Sequence, residues 1–440
     1  MKIHLPENVR NIIAVLQANG FEAYAVGGCV RDSVLGIAPK DWDITTSALP
    51  EEVKALFPRC IDTGTKHGTV TVMMKKTGYE VTTFRVDGAY SDGRHPDSVE
   101  FTDRLSEDLR RRDFTINAMA YSERSGLVDL YGGMEDLRSG LIRAVGEPSE
   151  RFTEDALRIL RLVRFSAQLG FSAEEKTLSA AEALTKNLRL VSSERIREEF
   201  MKTLLSDHPE KLLMLQEIGA LSVFFPELSD ALSGEGAAYA AERVGKLSEI
   251  RDRRELRLPD LFDIIRKVQQ LQPDEIRVLS ENRLRALKYD NETRELVLFL
   301  MRYANEPLPS DPAALRELLS KTGKGSFPTL FAFREIHSKE EPETDFKAVF
   351  EAFTGIMDRK ECTSVQELSV SGNDLLSLGM KPGKALGETL KMLLQKVLLD
   401  PSLNTREQLL LIAEKHLASE PDTGTAACPA AFRKTADSTF

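Results

Sequence analysis

A chain of 440 residues, 42% hydrophobic and 29% charged, has the profile of a globular protein with about two to four domains. Its net charge of −10 excludes a wholly basic protein that coats nucleic acid, but leaves room for a local basic groove. Four scattered cysteines (Cys29, Cys60, Cys362, Cys428), no signal-peptide core in residues 1–10 and no apolar run of about eighteen residues lead us to expect free thiols, a cytoplasmic location and no membrane association.

In chain order, residues 9–19 read as an amphipathic helix, with Ile12, Ile13, Val15 and Leu16 apolar. Residues 24–26 form a short apolar strand, and the pair Gly27-Gly28 opens a helix carrying Arg31 and Asp32. Asp41-Trp42-Asp43 reads as a strand. Residues 69–75 and 80–87 read as two strands joined by Lys76-Thr77-Gly78. Residues 90–96 form a polar loop, and 127–130 a further strand. From Thr153 onward the pattern is helical, punctuated by prolines. Residues 192–205 give a clear helix, with Ser193 as its cap and Ile196, Phe200 and Leu204 on one face. Residues 368–417 hold at least two helices, parted by Pro401. Residues 419–440 lack periodicity and read as a disordered tail.

Several constellations carry chemistry. In a strand, Asp41 and Asp43 point to one face. Two carboxylates so placed repel each other and invite a cation. Mg²⁺ suits the site, because it takes one or two carboxylates and leaves its other positions to water and substrate phosphates. Gly27 and Gly28 let backbone amides approach a phosphate. Together these parts suggest metal-assisted nucleotidyl transfer, which often uses a third carboxylate. Glu80 is one candidate and Asp113 the other, although Glu80 could equally be an edge-strand charge.

Arg110-Arg111-Arg112 is dense enough to clamp phosphates through one or two guanidinium groups. Asp113 and Asn117, four apart, would share a helix face and bond a ribose. A solvated basic face would read the same way. In the helix from Glu154, Asp155 and Arg158 are three apart and their tips would be neighbours. A carboxylate accepts from an exocyclic amino group, and a guanidinium donates to a ring nitrogen. Such a pair accepts cytosine and adenine and rejects guanine and uracil. An ordinary salt-bridged helix has the same pattern. Arg161 and Arg164 continue the basic row. Asp92, Arg94 and His95 lie in the loop, where they could reorder a pocket between two substrates.

These segments resemble the class II CCA-adding enzymes, within the DNA polymerase beta-like nucleotidyltransferases. The resemblance rests on residues 27–32 (GGCVRD), 41–43 (DWD), 92–96 (DGRHP), 111–118 (RRDFTINA), 154–158 (EDALR) and 192–199 (SSERIREE). It implies an α+β head with a small mixed sheet at 1–145. An all-α neck would follow at 146–215, then a tRNA-binding body and tail at 216–418. By the same resemblance Asp41 and Asp43 would bind Mg²⁺, and Gly28, Arg31 and Arg112 would contact the nucleotide. Asp155 and Arg158 would template C or A, and Arg161 and Arg164 would support the triphosphate. The partners would be tRNA lacking its 3′ end, CTP and ATP, with a homodimer left open. Bacterial poly(A) polymerases share the head motifs, and CC-adding enzymes lack the 92–96 segment. An inactive RNA-binding homologue and a small-molecule nucleotidyltransferase are the remaining alternatives.

Overall fold

The computed structural model describes residues 2–64, 68–88 and 99–419. They form two compact units, divided between Tyr303 and Ala304.

The first unit begins with α1 (Glu7–Ala18), which buries Val9, Ile12, Ile13 and Leu16 as its periodicity requires. The strands β1 (Ala23–Val26), β2 (Asp43–Thr46), β3 (Cys60–Gly64), β4 (Thr69–Met74), β5 (Thr77–Thr83), β8 (Met119–Ser122) and β9 (Gly126–Asp129) make one mixed sheet. Its order is β3-β4-β5-β2-β1-β8-β9, so β1 and β2 lie inside it. All four residues of β1 are buried, which explains the unbroken Ala-Tyr-Ala-Val run. The β2–β5 pair is parallel; β1 runs antiparallel to β2 and to β8. The hairpin between β4 and β5 is tighter than expected. Only Lys75 and Lys76 separate the strands, with Met74 paired to Thr77 and Lys75 at φ 60°.

Helix α2 (Gly28–Val34) follows β1 directly, and α3 (Pro50–Leu56) follows β2. The short strands β6 (Arg85–Asp87) and β7 (Val99–Phe101) pair antiparallel. The expected loop between them, with Asp92, Arg94 and His95, lies outside the described residues. Helix α4 (Leu105–Arg110) packs Leu105 and Leu109 with Tyr24, Val26, Phe84, Ala118 and Ala120 in one core. The arginine run therefore stands at the end of a helix rather than the start, where positive charge suits the dipole. After α5 (Gly133–Ser139), β10 (Leu141–Ile142) pairs in parallel with β11 (Ser172–Ala173). Between these two strands run α6 (Pro148–Glu154) and α7 (Leu157–Leu169). Then come α8 (Glu175–Leu184) and α9 (Ser193–Leu204). The residue before α9 is Ser192 rather than Ser193, and its side chain makes no capping bond. Further helices run to Asn291–Tyr303, around a core that includes Phe200, Phe224, Phe225 and Phe262.

The second unit is helical. Leu315, Leu319, Phe327, Phe331, Val349 and Ile356 form one core; Leu375, Leu393, Val397, Leu409 and Ala413 belong to another. The helices Lys384–Leu399 and Arg406–Ser419 flank Pro401, as expected. The rest of the expected tail, 420–440, is outside the described residues. Among the described residues no helix is long and apolar enough to cross a membrane.

One buried carboxylate ties α4 to the sheet. Asp108 is fully buried, and accepts from Arg111 Nη2 at 2.7 Å, Arg112 Nη2 at 3.2 Å and Thr45 Oγ1 at 3.2 Å. Burial would raise its pKa, but Arg112 and Arg111 overcome this and lower it. Asp108→Ala should therefore cost about 2–4 kcal/mol in urea unfolding at neutral pH, because it strands two guanidinium groups. A carboxyl lowered in the folded state stabilises above its unfolded pKa and loses that contribution on acidification. The difference between wild type and variant should therefore shrink below about pH 4.

Candidate active site

The site is built where β1 ends and β2 begins. Val26 pairs with Asp43, and Ile44 pairs with Val81 in the parallel β5, so Asp43 lies beside Glu80. β5 has neighbours on both sides, so Glu80 is inside the sheet rather than on its edge. The regular strand starts only at Asp43; Asp41 is in the segment leading into it. The two aspartates nevertheless share one field. The Asp43 carboxyl is pushed up to about 6, first by desolvation and then by the charges of Asp41 and Glu80; Arg112 opposes this. All three residues keep exposed surface. Hard oxygen donors with surplus negative charge suit a divalent cation.

Gly27 shapes the turn above this edge. It has φ +81°, and a Cβ there would stand 3.0 Å from Arg112 Nη1. Its missing side chain leaves room for that guanidinium at the start of α2. Gly28 is the first residue of that helix. Arg31, three residues on, is buried and donates to Asp32 Oδ1 at 2.8 Å and Asn117 Oδ1 at 2.7 Å.

Asp113 belongs to a different group from Asp43. Its Oδ1 accepts from the Phe114 N–H at 2.8 Å and from Asn117 Nδ2 at 3.2 Å, and its Oδ2 from Arg161 Nε at 2.8 Å. Burial would raise its pKa, but Arg161, the Arg158 charge and the Phe114 N–H hold it down at about 2. The expected contact between Asp113 and Asn117 is present, on a different element. α4 stops at Arg110, and Asn117 ends a 3₁₀ turn, Thr115–Asn117.

The expected helix through Asp155 is broken. Asp155 stands between α6 and α7, and its Oδ1 takes the Leu157 N–H at 3.0 Å. A short acidic side chain that bonds the backbone two residues on starts a new helix rather than continuing the old one. Asp155 and Arg158 consequently have separate partners. Arg195 Nη2 donates to Asp155 Oδ2 at 2.8 Å. Arg158 donates to Glu154 Oε2 at 2.7 Å and to the Arg111 carbonyl at 3.0 Å. Arg164 Nε faces Glu199 Oε2 at 2.9 Å without hydrogen-bond alignment.

Arg195 and Glu199 were not among the expected site residues. They are four apart on α9, so one face of that helix reaches both Asp155 and Arg164. A signal for Glu199 was present in the sequence. It is a carboxylate flanking Phe200, on a face that buries Ile196 and Phe200, and it is itself buried.

Comparison with known proteins gives the same picture at larger scale. A family model described as "Poly A polymerase head domain" matches residues 23–143. One for the "RNA and SrmB- binding site of polymerase A" matches 170–232, and one for "tRNA nucleotidyltransferase domain 2" matches 273–413. The chain is similar to the CCA-adding enzyme of Ligilactobacillus salivarius, 34% identical over 94% of this chain and 98% of that protein. It is similar to that of Enterococcus faecalis at 38% identity, over 92% and 94% respectively. Among solved structures, the Bacillus stearothermophilus CCA-adding enzyme in complex with CTP has a TM-score of 0.76 and 31% identity, covering 93% of this chain and 96% of its own.

The Asp43 shift gives a direct expectation. A carboxyl raised in the folded state binds a proton that the unfolded chain releases, so ionised Asp43 destabilises the fold as pH rises through about 6. Asp43→Asn should therefore raise Tm at pH 7.5 in metal-free buffer, while Glu80→Gln should move the Asp43 titration, followed by NMR, toward lower pH. An unmoved titration in Glu80→Gln would show that the two carboxylates do not share a field.

Proposed function

Because the chain belongs to the CCA-adding enzyme family, we propose that it builds and repairs the 3′-terminal CCA of tRNA from CTP and ATP, without a nucleic-acid template. The observation that supports this most is the strand register that sets Asp43, two residues after Asp41, beside Glu80. The reaction is in-line attack of the RNA 3′-hydroxyl on the α-phosphate, with pyrophosphate leaving.

Asp41 and Asp43 would hold Mg²⁺, with Glu80 as third carboxylate; the ion would supply charge stabilisation at the phosphates and a lower pKa for the attacking hydroxyl. Gly28 and Arg31 receive the nucleotide at the start of α2. Arg112 contacts sugar or phosphate, and the Asp113–Asn117 pair orients the ribose. Arg161 and Arg164 take the triphosphate. Asp155 and Arg158 read the base from either side of the helix break. Arg195 holds Asp155 in place, so that the carboxylate accepts from the amino group of C or A. Most of the rate gain comes from positioning and from charge already in place.

In this reading residues 1–145 are the catalytic head, 146–215 the neck and 216–418 the tRNA-binding body and tail, in a cytoplasmic enzyme.

The test is extension of a tRNA transcript lacking its 3′ end, with each nucleotide alone and with CTP and ATP together. Growth by two with CTP, and a third residue once ATP joins, is the expected result. A long A ladder on arbitrary RNA would make the protein a poly(A) polymerase, and growth that stops at two would make it a CC-adding enzyme. Asp41→Ala should lower incorporation on the order of a thousandfold. Asp155→Ala and Arg195→Ala should instead erode discrimination against UTP by roughly ten- to a hundredfold while some transfer persists. Unchanged selectivity in both would remove the base-reading assignment.

A further inference from the structure

Phe165 is buried in α7, one residue past Arg164 and four past Arg161. Three guanidinium groups gather on its ring. The Cζ atoms of Arg164, Arg31 and Arg161 lie 4.2, 5.1 and 5.3 Å from the ring centroid. All are within the distance of about 6 Å at which the negative π face attracts a cation. Two come from α7 and the third from α2, across from the sheet. Phe114 meets the same ring edge-on, at 5.8 Å and 80°, and fixes its orientation.

Three cations held this close repel one another. Arg31 is offset by Asp32 and Arg161 by Asp113. Arg164 has the poorest partner, since its contact with Glu199 is not aligned as a hydrogen bond. Desolvation, then Arg161 and more weakly Arg31, pull its pKa down to about 10, against Glu199 and Asp113. A further carboxylate could relieve the strain, but its oxygens would take the N–H groups that a phosphate needs. An aromatic face supplies negative potential without an oxygen acceptor, so the Arg164 donors stay available.

We propose that Phe165 is a positioning residue for the triphosphate: its ring holds Arg31, Arg161 and Arg164 within reach of one polyanion before any anion binds. The identity of that anion rests on the nucleotidyl-transfer reading above.

The experiment uses the full chain and compares Phe165→Leu, Phe165→Tyr and pentafluorophenylalanine incorporated at position 165. Calorimetry with inorganic tripolyphosphate and with CTP gives binding, and steady-state extension gives KM and kcat. Phe165→Leu should weaken tripolyphosphate and CTP by a common factor, roughly five- to thirtyfold. KM should rise for CTP and ATP alike, by more than kcat falls, and discrimination between CTP and UTP should hold. The fluorinated ring, near in shape but with its face potential reversed, should weaken binding too, and tyrosine should restore it. Phe165→Leu binding within twofold of wild type overturns the proposal. So does a fluorinated ring that binds like phenylalanine, which would leave packing alone as the role. If the leucine variant does not fold, the fluorinated ring decides. Tripolyphosphate binding needs neither base nor RNA, so a wild-type protein that failed to extend tRNA would leave this test standing.

Discussion

The structure is organised around holding like charges together before a ligand arrives to separate them. Asp41, Asp43 and Glu80 crowd one end of a sheet, and Arg31, Arg161 and Arg164 crowd one aromatic ring. Neither group would assemble in a flexible chain, because Coulomb repulsion adds to the entropy lost on ordering. Each depends on backbone already fixed by unrelated packing. The carboxylates depend on the parallel pairing of β2 with β5, and the guanidinium groups on α7 lying against α9 and the head.

A set of buried carboxylates makes this arrangement tolerable. Asp108 holds Arg111 and Arg112, Asp113 holds Arg161, and Glu199 faces Arg164. All three are buried, each against a guanidinium group. Their work is to keep cations close to the site without filling it. Arg195 does the converse for Asp155, pairing with an acceptor beside a helix break. Charge is thus paired throughout the candidate site, carboxylate against guanidinium.

Much of this was legible in the sequence, and the failures have physical causes. The apolar 24–26 run, the glycine pair and the two aspartates located the centre of the sheet and the end where Asp43 and Glu80 stand side by side. Periodicity found α1 and α9, because one buried face dictates apolar spacing. The same periodicity carried a helix straight through Asp155. It records which residues are apolar, and it does not record that one carboxylate prefers the Leu157 N–H. Asp113 and Asn117 met as expected although the helix meant to join them was absent, since a tight turn also brings residues four apart together. β3 and β8 went unread as strands; runs as short as Ala118-Met119-Ala120 suit either element. The pairings of Arg195 with Asp155 and of Arg31 with Asn117 span 40 and 86 residues, and only the folded chain brings them together.

The alternation of β5 has a consequence for how this protein can change over generations. Val81 and Thr83 are buried on one face, and Glu80 points to the other. A strand repeats every two residues, so gaining or losing a single residue beside Glu80 would turn the carboxylate into the core and bring Val81 to the reactive edge. No gradual path of repacking connects the two registers. In the two-residue hairpin Lys76 should accept many residue types and Lys75, at φ 60°, chiefly Gly, Asn or Asp, while chain length through β5 is under a parity rule. Descendants of this sequence are therefore free to drift in composition there, but nearly barred from single-residue insertion or deletion.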